Sequence, residues 1–144
     1  MDPGRLATSV PGSRGADLAT AFATSAVGDQ VARDGIVVPV LGVDPGHYDL
    51  HVHHVDQPGA AGEVVVRSPG WVLETGTGHL LLTTLGRLAA WEPDDPRHHW
   101  VRVPAGSYAV ELRGVRATPT GTADGSYSWV LRPTVRPWFT ADVG

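Results

Sequence analysis

Cysteine, lysine and asparagine are absent from this chain of 144 residues, and isoleucine occurs once, at Ile36. Without cysteine the chain has no disulfide, no thiolate nucleophile and no zinc–thiolate site. This absence fits a reducing cytoplasm. The codons for lysine, asparagine and isoleucine are rich in A and T, so their scarcity indicates a GC-rich, bacterial genome rather than selection on chemistry.

A net positive charge and long apolar runs are also lacking. The formal net charge is −4, and the eleven basic residues, all arginines, are spread along the chain. Such a chain has no general attraction for nucleic acid or for anionic lipid. Hydrophobic residues make up 42 % of the chain, but their longest runs are much shorter than a bilayer-spanning helix. We therefore expect no nucleic-acid partner and no membrane partner.

The first 35 residues predict an N-terminal leader that is either flexible or contains a short helix. Glycine, proline, serine and arginine are frequent at first, and no continuous apolar segment of a secretory signal precedes Asp17. Leu18, Phe22 and Ala26 then follow at near-helical spacing, which Gly28 would interrupt. A cytoplasmic location is the corresponding expectation.

Residues 36–144 predict a single all-β domain. Short apolar runs alternate there with glycine and proline, and alternate residues within a run are apolar, as in 107–113. About eight such strands favour an antiparallel β-sandwich. The candidate strands are 36–41, 47–55, 62–67, 71–75, 79–84, 87–91, 99–103, 107–113 and 126–132, with an edge or tail segment at 134–139.

The most specific local pattern is the turn at residues 103–108, Val-Pro-Ala-Gly-Ser-Tyr. Pro104 fixes φ at the entry, Gly106 allows a positive φ, and Tyr108 opens the return strand. Together with a second strand at 126–130, Ser-Tyr-Ser-Trp-Val, this order resembles competence protein J and related small bacterial proteins of the immunity or nuclease-inhibitor type. The resemblance covers about half of the chain. It implies an intracellular β-sandwich that binds another protein without catalysis.

A compact acidic turn lies between two tryptophans. Glu92, Asp94 and Asp95 fall within four residues, with two prolines in the segment, and Trp91 and Trp100 flank them. Such a turn could imitate phosphates toward a basic protein, with a tryptophan as the anchoring side chain. The alternative is a solvated turn whose tryptophans point into the core. We take these five residues as the candidate partner-binding site.

A histidine-rich strand offers a second, enzymatic hypothesis. His47, His51 and His53 alternate on one face of the run 47–55, and a His-x-His pair can hold a metal in a cupin-type barrel. The carboxylate that follows the pair in that family is missing here at the expected spacing. Alternation also allows the histidines to face solvent while Leu50 and neighbouring apolar residues are buried. We therefore assign no metal ligand, no cofactor and no catalytic residue.

Three functional hypotheses follow. The first is a small cytoplasmic protein-binding module, not an enzyme, that acts as an inhibitor or immunity-type partner of a basic toxin or nuclease. The second is a metal-dependent enzyme or small-molecule binder on a cupin-like barrel, with His51 and His53 as ligands. The third is a subunit of a homo-oligomer, in which the leader and the tail at 136–139 act as exchange arms.

Overall fold

The computed structural model describes residues 1–40, 47–116 and 125–134. The tail at 136–139 lies outside these residues, and Val130 is the one side chain described in the last segment. In chain order, the helices and strands are α1 (Pro3–Ser9), α2 (Leu18–Thr24), α3 (Ala26–Arg33), β1 (Tyr48–His54), β2 (Val64–Thr75), β3 (His79–Leu82), α4 (Leu85–Leu88), β4 (His99–Arg102), β5 (Gly106–Arg116) and β6 (Gly125–Thr134).

The six strands form two sheets. The larger sheet has the order β1-β6-β5-β2, and β3 pairs with β4 in an antiparallel two-stranded sheet. β1 and β6 are parallel, with a register that runs from Tyr48 opposite Gly125 to His54 opposite Leu131. Within the described residues, β1 and β2 are therefore the edge strands of the larger sheet.

The predicted all-β antiparallel sandwich of about eight strands is wrong. Four helices accompany the six strands of the described residues, and one strand pair is parallel. The runs 62–67 and 71–75 belong to one strand, because Gly70 takes a φ of +89° and lets the chain bend without ending the strand. Ile36 and Val37 are buried without forming a strand, and Leu88 lies in α4. Apolar runs this short do not distinguish a strand from other buried segments.

Three helices occupy the N-terminal 35 residues. Each begins at a polar residue that accepts a hydrogen bond from a free N–H of the first turn. Asp2 accepts from Arg5 at 3.1 Å, Asp17 from Thr20 at 2.9 Å, and Ser25 from Val27 at 3.3 Å. Pro3 adds a preformed φ at the start of α1. None of the helices in the described part of the chain is both long and apolar enough to cross a bilayer.

The chain divides into two compact units. The first consists of Met1–Val38 and Val72–Ser107, and the second consists of Pro39–Trp71 and Tyr108–Gly144. The core of the first unit draws on its helices, on β3 and on the segment after α4. Its buried members are Leu6, Leu18, Val31, Ile36, Val37, Leu81, Leu88 and Trp91.

The start of the chain is built into the first unit. The amino group of Met1 donates to the carbonyl of Leu81 at 3.0 Å, and the Leu81 N–H donates to the Met1 carbonyl at 2.8 Å. Met1 thus covers one side of β3. Burial lowers the pKa of the Met1 amino group to about 6, because a charged amine is poorly solvated there. Asp2 is buried as well, and its carboxylate also accepts from Gly76 N–H at 3.3 Å.

The second unit contains the four-stranded sheet from β1 to the first part of β2. On β5, Tyr108, Val110 and Leu112 are buried, whereas Glu111 and Arg113 on the other face are partly exposed. This alternation was expected from the sequence and is confirmed.

Candidate protein-binding site

The acidic turn forms between α4 and β4 by two successive backbone hydrogen bonds. Asp95 N–H donates to the carbonyl of Glu92, and His98 N–H donates to the carbonyl of Asp95, each at 3.1 Å. Pro93 and Pro96 have no N–H to offer, so they fit positions of a turn that need none. The turn therefore holds its three carboxylates close together on the surface of the first unit.

Arg14 forms ion pairs with two of these carboxylates. Gly15 N–H donates to the Trp91 carbonyl at 2.7 Å, and Trp91 N–H donates to the Ala16 carbonyl at 3.0 Å, which brings the leader beside the turn. One guanidinium nitrogen of Arg14 then lies 2.7 Å from Glu92, and the other lies 2.6 Å from Asp94. The Asp94 carboxylate raises the pKa of Arg14 further.

Asp95 is held by Arg97 within the turn. Arg97 donates its backbone N–H and its Nε to Asp95 at 2.9 Å each, and an Nη donates at 2.7 Å. These bonds hold the pKa of Asp95 well below its usual range. Three carboxylates lie against the guanidiniums of Arg14 and Arg97, and a third guanidinium, that of Arg87, donates to the Arg97 carbonyl. The turn is thus a nearly neutral surface of alternating sign rather than a strongly anionic one.

Trp91 lies in the core and not at the surface, with 2 % of its area exposed. Buried His98 packs against it, with ring centroids 5.3 Å apart, and the His98 Nε2 lies 2.8 Å from the Glu92 carbonyl. His98 Nδ1 is buried and has no hydrogen-bond partner among the described residues. Trp91 and His98 therefore support the backbone of the turn from the core, and their buried side chains cannot contact a partner.

Trp100, in contrast, is 52 % exposed. It lies on β4 directly opposite core residue Leu81 of β3. The backbone of Met1 pairs with the edge of β3 that faces away from β4. The outer edge of β4 has no strand neighbour among the described residues. Leu85, at the start of α4, is exposed as well. Trp100 is thus the only exposed tryptophan whose side chain the structure describes.

The histidines of β1 do not converge on one point. His51 is exposed, whereas His53 is partly buried with its Nδ1 2.9 Å from the His54 carbonyl. His53 Nε2 is buried and lies so close to Gly59 that a Cβ atom on residue 59 would overlap the imidazole ring. No group of three metal-ligating side chains occurs in the described segments. The predicted burial of Leu50 is wrong, since the side chain is 45 % exposed on this edge strand.

Two features of the site were missed by sequence reasoning. Arg14 lies about eighty positions before the carboxylates that it binds, and no spacing rule connects residues so far apart. The exposure of Leu85 follows from its place at the first turn of a four-residue helix, which was not predicted between the candidate strands 79–84 and 87–91.

No protein-family model, no curated protein and no solved structure matches this chain.

Proposed function

We propose that this protein is a binding module for another protein and acts in the cytoplasm as an inhibitor or immunity-type partner of a toxin or nuclease. The observation that carries the proposal is Trp100, half exposed on the open side of β4. Tryptophan is enriched among the residues that dominate the binding energy of protein interfaces. Its position opposite Leu81 fixes the backbone beneath it, so that little conformational entropy is lost on binding.

The acidic turn supplies the charged rim of the proposed interface. Its carboxylates favour a basic partner, because their ion pairs are exposed enough to exchange with arginines or lysines of that partner. Rim charges of this kind mainly accelerate association, whereas a buried aromatic side chain slows dissociation. The two parts of the site therefore have separable kinetic effects.

The proposal is tested with the full-length chain as bait in a lysate of the source cells. A stoichiometric protein partner is expected, and it is then purified and titrated calorimetrically. Trp100→Ala should weaken the complex by about 2 kcal/mol, which is about thirtyfold. Val55→Ala, which removes an exposed apolar side chain of the second unit, is the control and should leave the affinity unchanged.

The acidic rim has its own charge-matched comparison. Replacing Glu92, Asp94 and Asp95 together with serine should slow association, and the effect should shrink at high salt. Replacing the exposed residues Asp29, Asp49 and Asp56 with serine changes the net charge equally. Equal behaviour of the two triple variants would remove the turn from the interface. Retrieval of no protein other than the chain itself, or an unchanged affinity of Trp100→Ala, would contradict the proposal.

A further inference from the structure

The edge strand β2 of the second unit presents apolar side chains on both of its faces. Val65 is 52 % exposed and Val66 is 57 % exposed. Consecutive residues of a strand point to opposite faces of the sheet. Apolar side chains are therefore exposed on both faces of the sheet at this edge. An exposed apolar edge is a template for pairing with another strand.

One hydrogen bond at the start of this edge orients its backbone. Arg116 N–H donates to the Glu63 carbonyl at 3.0 Å, directly before β2 begins, so the backbone of Glu63 faces β5. Regular alternation from Glu63 into β2 would place Val65 toward β5 as well, and would direct the N–H and C=O groups of Val64 and Val66 to the opposite side. No strand pairs with β2 on that side in the part of the chain that the structure describes.

Residues 63–67, Glu-Val-Val-Val-Arg, are self-complementary about Val65. We propose that two copies of the chain pair antiparallel along β2, around a two-fold axis at Val65, into one continuous eight-stranded sheet. Val64 of each copy then lies opposite Val66 of the other, and the backbone N–H and C=O groups of both residues point toward the second copy. Each such pair exchanges two backbone hydrogen bonds, which gives four across the junction.

The same register places opposite charges across the junction. Glu63 of each copy lies opposite Arg67 of the other at a non-hydrogen-bonded position, where side chains approach most closely. Within its own chain, Arg67 already lies 2.8 Å from Glu111, and Glu63 lies 3.6 Å from Arg116. The joined strands would carry charges of alternating sign.

Other registers lose this match. An axis at Val66 places Val65 opposite Arg67 and Glu63 opposite Pro69, and an axis at Val64 places Glu63 opposite Val65. The bend at Gly70 ends the regular edge shortly after Arg67. The junction is therefore short, and its two-fold symmetry closes it as a dimer rather than a fibre. This inference does not depend on the proposed function, whose surface lies in the first unit.

Sedimentation velocity of the full chain from low to high micromolar concentration tests the junction. The wild-type chain should dimerise with concentration. Glu63→Arg and Arg67→Glu each place like charges across both ends of the junction, and each alone should dimerise about tenfold more weakly or worse. Mixed together, the two variants should form a one-to-one heterodimer, because every cross-strand pair is then of opposite sign. The heterodimer also shows that both variants are folded.

The backbone part of the junction is tested by Val66→Pro. Proline is tolerated in an edge strand where its position needs no inward N–H, and here it removes an N–H that faces the second copy. Dimerisation should be lost while the circular dichroism spectrum is kept. A wild-type chain that stays monomeric at high micromolar concentration would overturn the proposal. Single charge variants that dimerise like the wild type, or a mixture without a heterodimer, would overturn it equally.

Discussion

Gly28 decides how helices α2 and α3 meet. It lies within α3, and the position of its missing side chain is filled by the backbone of Phe22 in α2. The interruption between the helices is at Ser25 instead, which has an extended backbone and caps α3. An interior glycine normally weakens a helix. Here it permits a close approach of two helices that any Cβ would prevent.

Substitution of Gly28 should therefore reverse the usual rule for helical glycines. Gly28→Ala should lower the free energy of unfolding by about 1 to 3 kcal/mol, because the new methyl group would overlap the Phe22 carbonyl. Gly86 of α4 is the matched control, since a Cβ there meets nothing within 4 Å. Gly86→Ala should raise the free energy of unfolding by up to about 1 kcal/mol. Urea titrations of the three proteins measure both changes, and a stabilising Gly28→Ala would contradict the close packing.

At the scale of elements, the loop–turn contact between the leader and the acidic turn controls how much negative charge is available to a partner. The backbone bonds of Gly15 and Ala16 to Trp91 set the contact, and Arg14 then covers Glu92 and Asp94. These ion pairs are exposed, and exposed pairs contribute little to stability. Their consequence is electrostatic, because they mask two of the three carboxylates of the turn.

Removal of this arginine should strengthen the binding of a basic partner. Arg14→Ala frees two carboxylates, so association with the partner should become faster at low salt while the unfolding midpoint changes little. Arg33→Ala, at the exposed end of α3, changes the net charge by the same amount away from the turn. Stopped-flow association rates of both variants distinguish a local effect from one of net charge. Equal rates for the two variants would mean that the turn lies outside the interface.

At the scale of the whole molecule, the first unit is assembled from distant parts of the chain. Leu6, Leu18 and Val31 come from the N-terminal helices, and they share a core with Leu81 and Trp91. Such a core cannot form until far-separated segments meet. The N-terminal segment is therefore an integral part of this unit.

Deletion of residues 1–30 should for this reason unfold the first unit rather than trim it. The deletion removes Leu6 and Leu18 from the core and uncovers β3 at Leu81. Hydrogen exchange should show the loss of protection for amides of β3 and β4, with the amides of β5 at 108–116 as the reference for the second unit. Wild-type protection of β3 and β4 in the shortened chain would show that the N-terminal helices are dispensable.

Local chemistry alone determined several features of this protein. Alternation identified the buried face of β5, because period-two burial is a property of the strand itself. The short apolar runs at 79–84 and 99–103 also located β3 and β4, although β3 buries two consecutive leucines. The acidic turn was equally visible, since proline and clustered carboxylates act over a few residues. Polar caps at Asp2, Asp17 and Ser25 were also present in the sequence, although they were not used to predict helices.

Only the tertiary structure decided the rest, because it depends on contacts between residues that are distant in the chain. Trp91 is buried because it lies in the core beside the backbone of Gly15 and Ala16, whereas Trp100 lies on β4 and stays half exposed. The charge of the acidic turn follows from Arg14. The position of β2 at the edge of the described sheet, where residues 63–67 can meet a second copy, follows from the strand order. A short apolar run has the same local energy in a core, on an edge or in a helix, and only its neighbours distinguish these outcomes.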